Sequence, residues 1–303
     1  MKSTKSTVTN LRSRRNRAGM READTRKADL ADVAERLTEV AERGELVIEY
    51  QPIVDLTDGT FVGVEALVRW QHPTRGLLPP SAFIELAEHT GAIVGIGSWV
   101  LETAACQLLS WQRRYGLREL WLSVNVSACQ LDDPRFADHV SDVLRRSGLN
   151  PTSLVLEITE SVVADPDGAA AGSLATLRRL GVRVALDDFG RGYSSIGYLR
   201  QLPIDILKID RSFISGEQAN QPGDLLLEAI VGLGQRLGLG IIPEGIEEPA
   251  QLRKLRGLRC HAGQGFLFSR PVPAARIDQL LANPTPLLPA DMPEALNGVP
   301  FER

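Results

Sequence analysis

The sequence predicts an α/β chain folded as a TIM-like (β/α)8 barrel, with the first strand antiparallel to the others. Three observations carry that prediction. Eight short apolar segments alternate with helical patterns, as parallel βαβ units require. Only a short link containing Asp58-Gly59 separates the first two segments, and Asp-Gly between strands signals a hairpin. The chain has 303 residues, 43% of them hydrophobic, enough for one barrel of ~250 residues with a buried core.

The elements follow in order. Residues 1–27 are rich in Ser, Thr and Arg and lack hydrophobic periodicity, so they read as a disordered basic tail. A basic arm touching nucleic acid or lipid is the alternative, and the tail's partner is left open. Leu30, Val33, Leu37 and Val40 then fall on one helical face, and Gly44 supplies a stop. Strand patterns lie near 46–52, 62–69, 120–126, 153–158, 182–187, 204–209, 239–243 and 259–265. Helical patterns lie near 81–90, 94–114, 134–146, 168–180, 194–201, 222–237, 247–256 and 273–282. The folded domain is expected over 28–285, with an irregular Pro-rich tail over 286–303.

Charge is unevenly spread. Net charge is −4, yet residues 1–27 hold nine basic and two acidic residues, leaving 25 basic against 36 acidic residues in the remainder. An acidic body is no nucleic-acid footprint, and it would repel an anionic phosphodiester unless cations intervened. Cys106, Cys129 and Cys260 have no metal-ligand spacing and read as free thiols. The apolar run around Gly91–Leu101 falls short of the ~18 residues of a membrane span. No apolar leader precedes the body, so a soluble, cytoplasmic protein without a transmembrane segment is expected.

The polar residues at the strand ends carry the chemistry. Glu65 lies in the second strand, Asn125 ends the third and Glu157 the fourth. Asp187 and Asp188 end the fifth, Lys208 lies on the sixth, Glu244 follows the seventh and Gln264 ends the eighth. A closed parallel barrel brings such ends to one rim, where barrel enzymes place their sites. Any one of these residues, taken alone, reads better as a helix cap or salt-bridge partner. Together they bring five carboxylates close, and these cannot all ionise unaided. Oxygen-only ligands favour hard divalent ions such as Mg²⁺ or Mn²⁺, and paired ions suit displacement at phosphorus.

From Leu37 to Pro273 the sequence resembles the EAL cyclic-di-GMP phosphodiesterase family. EYQPIVDL, EALVRWQHP, LSVNVSACQL, LEITES, DDFGRGYSS, LKIDRSF, PEGIEE and GQGFLFSRP occur in the family's order. The resemblance implies the EAL fold, hydrolysis of cyclic di-GMP to linear pGpG with two Mg²⁺ or Mn²⁺ ions, and a homodimer. It implies that Glu65, Asn125, Glu157 and Asp187 hold a first ion, and that Asp187 bridges to a second held also by Asp188. Glu244 becomes a ligand or general base, and Lys208 contacts the attacking water or the scissile phosphate. Gln51 and Arg69 contact the nucleotide, Gln264 lies near the metal water, Glu247 supports the site, and Glu160 braces the loop after the fifth strand.

Two positions depart from the family pattern: Arg191 stands where Thr is usual, and Pro243 where Ala is usual. Both read as tolerated substitutions, one in a loop and one at a strand end; the alternative for Arg191 is that its charge alters the interface, metal occupancy or regulation. Two other readings accompany the enzyme: a weak or inactive EAL domain acting as a cyclic-di-GMP receptor, and a protein-interaction module. Retention of every matched metal position favours the enzyme.

Overall fold

The computed structural model describes residues 33–163, 168–189, 202–214 and 222–288. The expected tail over 1–27, the helix near 194–201, Arg191, and the C-terminal tail beyond 288 lie outside the described residues.

Among the described residues, ten strands form one sheet: β1 Leu46–Asp55, β2 Phe61–His72, β3 Gly76–Leu78, β4 Trp121–Asn125, β5 Leu154–Thr159, β6 Arg183–Phe189, β7 Ile206–Ile209, β8 Gly240–Pro243, β9 Ala262–Gly263 and β10 Val272–Pro273. The pairings β2–β4–β5–β6–β7–β8 are all parallel. β1 is antiparallel to β2, as the Asp-Gly link predicts, with Gln51 directly opposite Glu65. β9 pairs with β1 on one side. On the other, the Gln264 N–H donates to the Pro243 carbonyl at 3.0 Å. The sheet thereby curls into a barrel.

The eighth expected strand, near 259–265, shrinks to the two residues of β9. Gly265 packs so tightly on Ile246 that a Cβ would be driven into the Ile246 backbone, and the chain turns there instead of extending. β3 is an addition that the sequence did not signal. It is a three-residue return after the Thr74-Arg75 turn, paired with Trp70–His72 of β2.

Helices α1 Ile84–Thr90, α2 Ala92–Tyr115, α3 Ala128–Leu131, α4 Phe136–Ser147, α5 Ala169–Arg179, α6 Pro222–Arg236, α7 Pro249–Gly257 and α8 Ala274–Ala282 accompany the strands. In α2, Ile93, Ile96, Val100, Ala104, Leu108 and Trp111 are buried, at the three- and four-residue spacing of a core-facing stripe. With 24 residues, α2 is long and apolar enough by length and composition to cross a membrane. The expected run of Gly91–Leu101 ends at Glu102, and the helix continues beyond it through Ala104, Ala105, Leu108 and Leu109. Before β1, residues 33–38 are helical, and Val33, Leu37 and Val40 pack into the core.

Alternation along the strands sets the function-bearing face. Ile53, Trp121, Val155, Ala185, Ile206 and Ile242 form one apolar cluster inside the barrel. One pleat repeat away on the same strands stand Gln51, Ser123, Glu157, Asp187, Lys208 and Glu244, because side chains two apart share a face. The apolar layer closes the barrel beneath the polar one.

Candidate active site

Lys208 is the centre of the polar layer. Its Nζ lies 2.7 Å from Glu157 Oε2, 3.5 Å from Glu65 Oε2 and 3.9 Å from Asp187 Oδ1, and it touches Glu244 Oε1. These partners come from β5, β2, β6 and the residue after β8. Lys208 and Glu157 side chains are each only 1% exposed. A lysine this deep survives as a cation only when paired.

Neutral donors hold the surrounding carboxylates. Asn125 Nδ2 donates to Glu65 Oε1 at 2.8 Å. Gln264 Nε2 donates to Glu65 Oε2 at 2.7 Å and to Glu244 Oε1 at 3.2 Å. Ser123, fully buried, donates its hydroxyl proton to Glu157 Oε1. The sequence reading missed Ser123, since a lone serine in a strand carries no signal. Its place two residues before Asn125, on the same face, was the available clue.

The electrostatics are lopsided: four carboxylates share one ammonium. Burial raises the Glu157 carboxyl well above its ordinary range, and the charge of Glu65 pushes it further. Burial lifts Glu244 to about 8, with Lys208 opposing and Asp187 and Glu65 adding to the rise. Burial acts on Glu65 in the same sense, but Lys208, Gln264 and Asn125 outweigh it and hold that carboxyl below its ordinary value. For Lys208 burial disfavours the charge, and Glu157, Glu244 and Glu65 overcome it, raising the ammonium well above the usual lysine value.

This donor set fits hard divalent ions by its chemistry, because its side-chain oxygens suit them and added positive charge would favour ionisation of the raised carboxyls. Glu157 Oε2 and Gln264 Oε1 are buried acceptors that receive no well-directed hydrogen bond. Among the described residues, no three acidic side chains stand in ready coordination geometry; the Lys208 ammonium lies between them. Asp188 follows Asp187 in β6, and its side chain lies outside the described residues.

The other expected residues sit around this centre. Gln51, on β1 opposite Glu65, is buried, and its Nε2 donates to the Ser269 carbonyl at 3.3 Å. Arg69 lies four residues beyond Glu65 on β2, with Nε donating to Glu49 Oε2 at 2.8 Å. Glu160 opens the short 3₁₀ turn after β5; the loop it was expected to brace lies outside the described residues. Glu247 is exposed in the loop after β8, where its N–H donates to Gln251 Oε1 at 2.8 Å. Pro243 ends β8 and loses nothing there: the Glu244 N–H continues the pairing with the Ile209 carbonyl at 2.9 Å. A cleft of about 560 Å³ lies at the opposite ends of β6 and β7, lined by Arg178, Arg179, Arg183 and Asp205, remote from the carboxylates.

The EAL domain family model matches residues 34–271. The bifunctional diguanylate cyclase/cyclic di-GMP phosphodiesterase MucR of Pseudomonas aeruginosa is 44% identical over 247 residues, covering 82% of this chain and 36% of that protein. The cyclic di-GMP phosphodiesterase NbdA of the same organism is 42% identical over 247 residues, covering 82% of this chain and 31% of that protein. The chain therefore spans about a third of the length of these relatives. The solved structure of the PaMucR phosphodiesterase in complex with c-di-GMP is 43% identical, with a TM-score of 0.76, covering 81% of this chain and 99% of that one.

Proposed function

The chain belongs to the EAL domain family, and from that premise we propose that it hydrolyses cyclic di-GMP to linear pGpG at a site holding two Mg²⁺ or Mn²⁺ ions. The observation that carries the proposal is Lys208 Nζ among carboxylates from β2, β5, β6 and the residue after β8. The relatives named as cyclic di-GMP phosphodiesterases support the substrate. A homodimer and a cytoplasmic location belong to the same reading.

Glu65, Asn125, Glu157, Asp187, Asp188 and Glu244 would hold the ions. Bound divalent ions lower the pKa of water and neutralise charge on phosphoryl oxygens. The net reaction adds water across one phosphodiester bond: a new P–O bond forms, one P–O3′ bond breaks, and the departing oxygen takes a proton. Lys208 stays protonated, and its ammonium faces the reacting phosphate. Glu244, where it does not hold an ion, is positioned to act as the general base. Gln264 orients Glu65 and Glu244 together. The Arg69 guanidinium, anchored through Nε by Glu49, offers its fork to a phosphate, and Gln51 lines the floor beside Glu65.

The test is incubation with cyclic di-GMP in Mg²⁺ or Mn²⁺, and in chelator, with pGpG read by chromatography. Metal-dependent pGpG supports the enzyme. Tight binding without product would support the receptor instead, and neither binding nor product would leave the interaction module.

A further inference from the structure

We propose that Ser123 is a positioning residue for metal binding, its hydroxyl fixing Glu157 so that the second carboxylate oxygen faces the centre of the site. The inference rests on the metal-dependent reading above and goes one residue beyond it.

Strand β4 presents two side chains to the barrel interior near the site, Ser123 and Asn125. Each serves a different glutamate. Asn125 Nδ2 donates to Glu65 Oε1 at 2.8 Å, toward β2. Ser123 donates to Glu157 Oε1, toward β5. The register makes the division clear: Ser123 stands opposite Glu65 on β2, and Asn125 opposite Glu157 on β5. Each donor thus reaches diagonally past its direct neighbour. Glu157 is left with Oε1 tied to β4 and Oε2 turned to Lys208 at 2.7 Å.

The chemistry explains why a hydroxyl stands here. The adjoining layer is apolar, with Trp121, Val155 and Ala185 near the same strands, and a valine or alanine would extend it. A serine at full burial needs a hydrogen-bond partner. The partner is the Glu157 carboxyl, whose Oε1 accepts the hydroxyl proton. Because a hydroxyl proton rotates freely, Ser123 donates without blocking the other oxygen. Groups behind a ligand that set its orientation tune metal affinity.

The test uses the full chain and Mn²⁺ alone, titrated calorimetrically without nucleotide, with thermal unfolding measured on every variant. Ser123→Ala is expected to weaken Mn²⁺ binding by about 10- to 100-fold, and Ser123→Thr, which keeps the hydroxyl, to restore most of it. Ser173→Ala is the control: that serine is also buried, but it donates to the Leu131 carbonyl at 2.9 Å. The control is expected to shift the unfolding temperature and leave Mn²⁺ affinity at the wild-type value. If Ser123→Ala does not fold, Ser123→Cys, similar in size but a weak donor, replaces it with the same expected direction. A folded Ala or Cys variant that binds Mn²⁺ as tightly as wild type would overturn the inference. So would a folded Thr variant as weak as Ala. A wild type that binds no Mn²⁺ would instead sink the metal reading itself.

Discussion

Lys208 Nζ lies 2.7 Å from Glu157 Oε2 with both side chains shut away from solvent. A buried pair of this kind adds little stability over a well-packed apolar pair, but removing one partner is costly. Lys208→Met is therefore expected to destabilise the metal-free chain by about 3–5 kcal/mol, measured by urea unfolding in chelator. Added Mn²⁺ should recover part of that loss, because it supplies the missing positive charge.

Stability of the metal-free chain should fall as pH rises towards 8. Burial, with repulsion from Asp187 and Glu65, holds the Glu244 carboxyl at about 8 in the fold, against an ordinary value of 4.5. Glu157 shifts in the same direction. Between those values the folded state binds more protons than the unfolded one, so stability is present below 4.5 and lost as pH rises through about 8. Glu65 shifts downward, and its contribution is lost only as pH falls below that window. Urea midpoints at pH 5, 6, 7 and 8 check the trend; a midpoint rising steadily to pH 8 would contradict it.

The same protons should appear on metal binding. Ligands must be deprotonated to coordinate, and burial holds the Glu244 carboxyl at about 8 in the metal-free fold. Mn²⁺ binding at pH 7 is expected to release protons. The calorimetric enthalpy should then vary with the ionisation enthalpy of the buffer, whereas equal enthalpies in phosphate and Tris would mean no release.

Gly265→Ala should damage the site without touching a site residue. A Cβ there meets the Ile246 backbone, so the chain must shift, and the neighbouring Gln264 holds both Glu65 and Glu244. Overpacking of this kind costs about 1–3 kcal/mol. Turnover is expected to fall further than the loss of folded protein explains, as read by kcat on the folded fraction.

How far the sequence reaches depends on the kind of signal. The strands β1 and β2 were legible down to their direction, because Asp58-Gly59 fixes a hairpin locally. Helix α2 was legible from its stripe, though its full apolar length was not, since Glu102 and Thr103 interrupt the run. β9 was not legible: its length is set by how closely Gly265 approaches Ile246, a contact between distant segments. The site residues Glu65, Asn125, Glu157, Asp187, Lys208, Glu244 and Gln264 converge because strand ends in a barrel share a rim, and the order of strands supplies that. Ser123 did not emerge, because its importance lies in which oxygen it bonds. The link between Arg69 and Glu49 escaped for the same reason.

The account is tested most directly by comparing pGpG formation by wild type and Glu65→Gln, both saturated with cyclic di-GMP and Mn²⁺. Gln keeps the shape of Glu65 and removes the charge that Lys208 and the ions share. Wild type is expected to form pGpG, and the variant to lose more than about 100-fold in rate, beyond what outer-shell changes usually cost. Equal turnover by both proteins, or no pGpG from the wild type while cyclic di-GMP stays bound, would contradict the account.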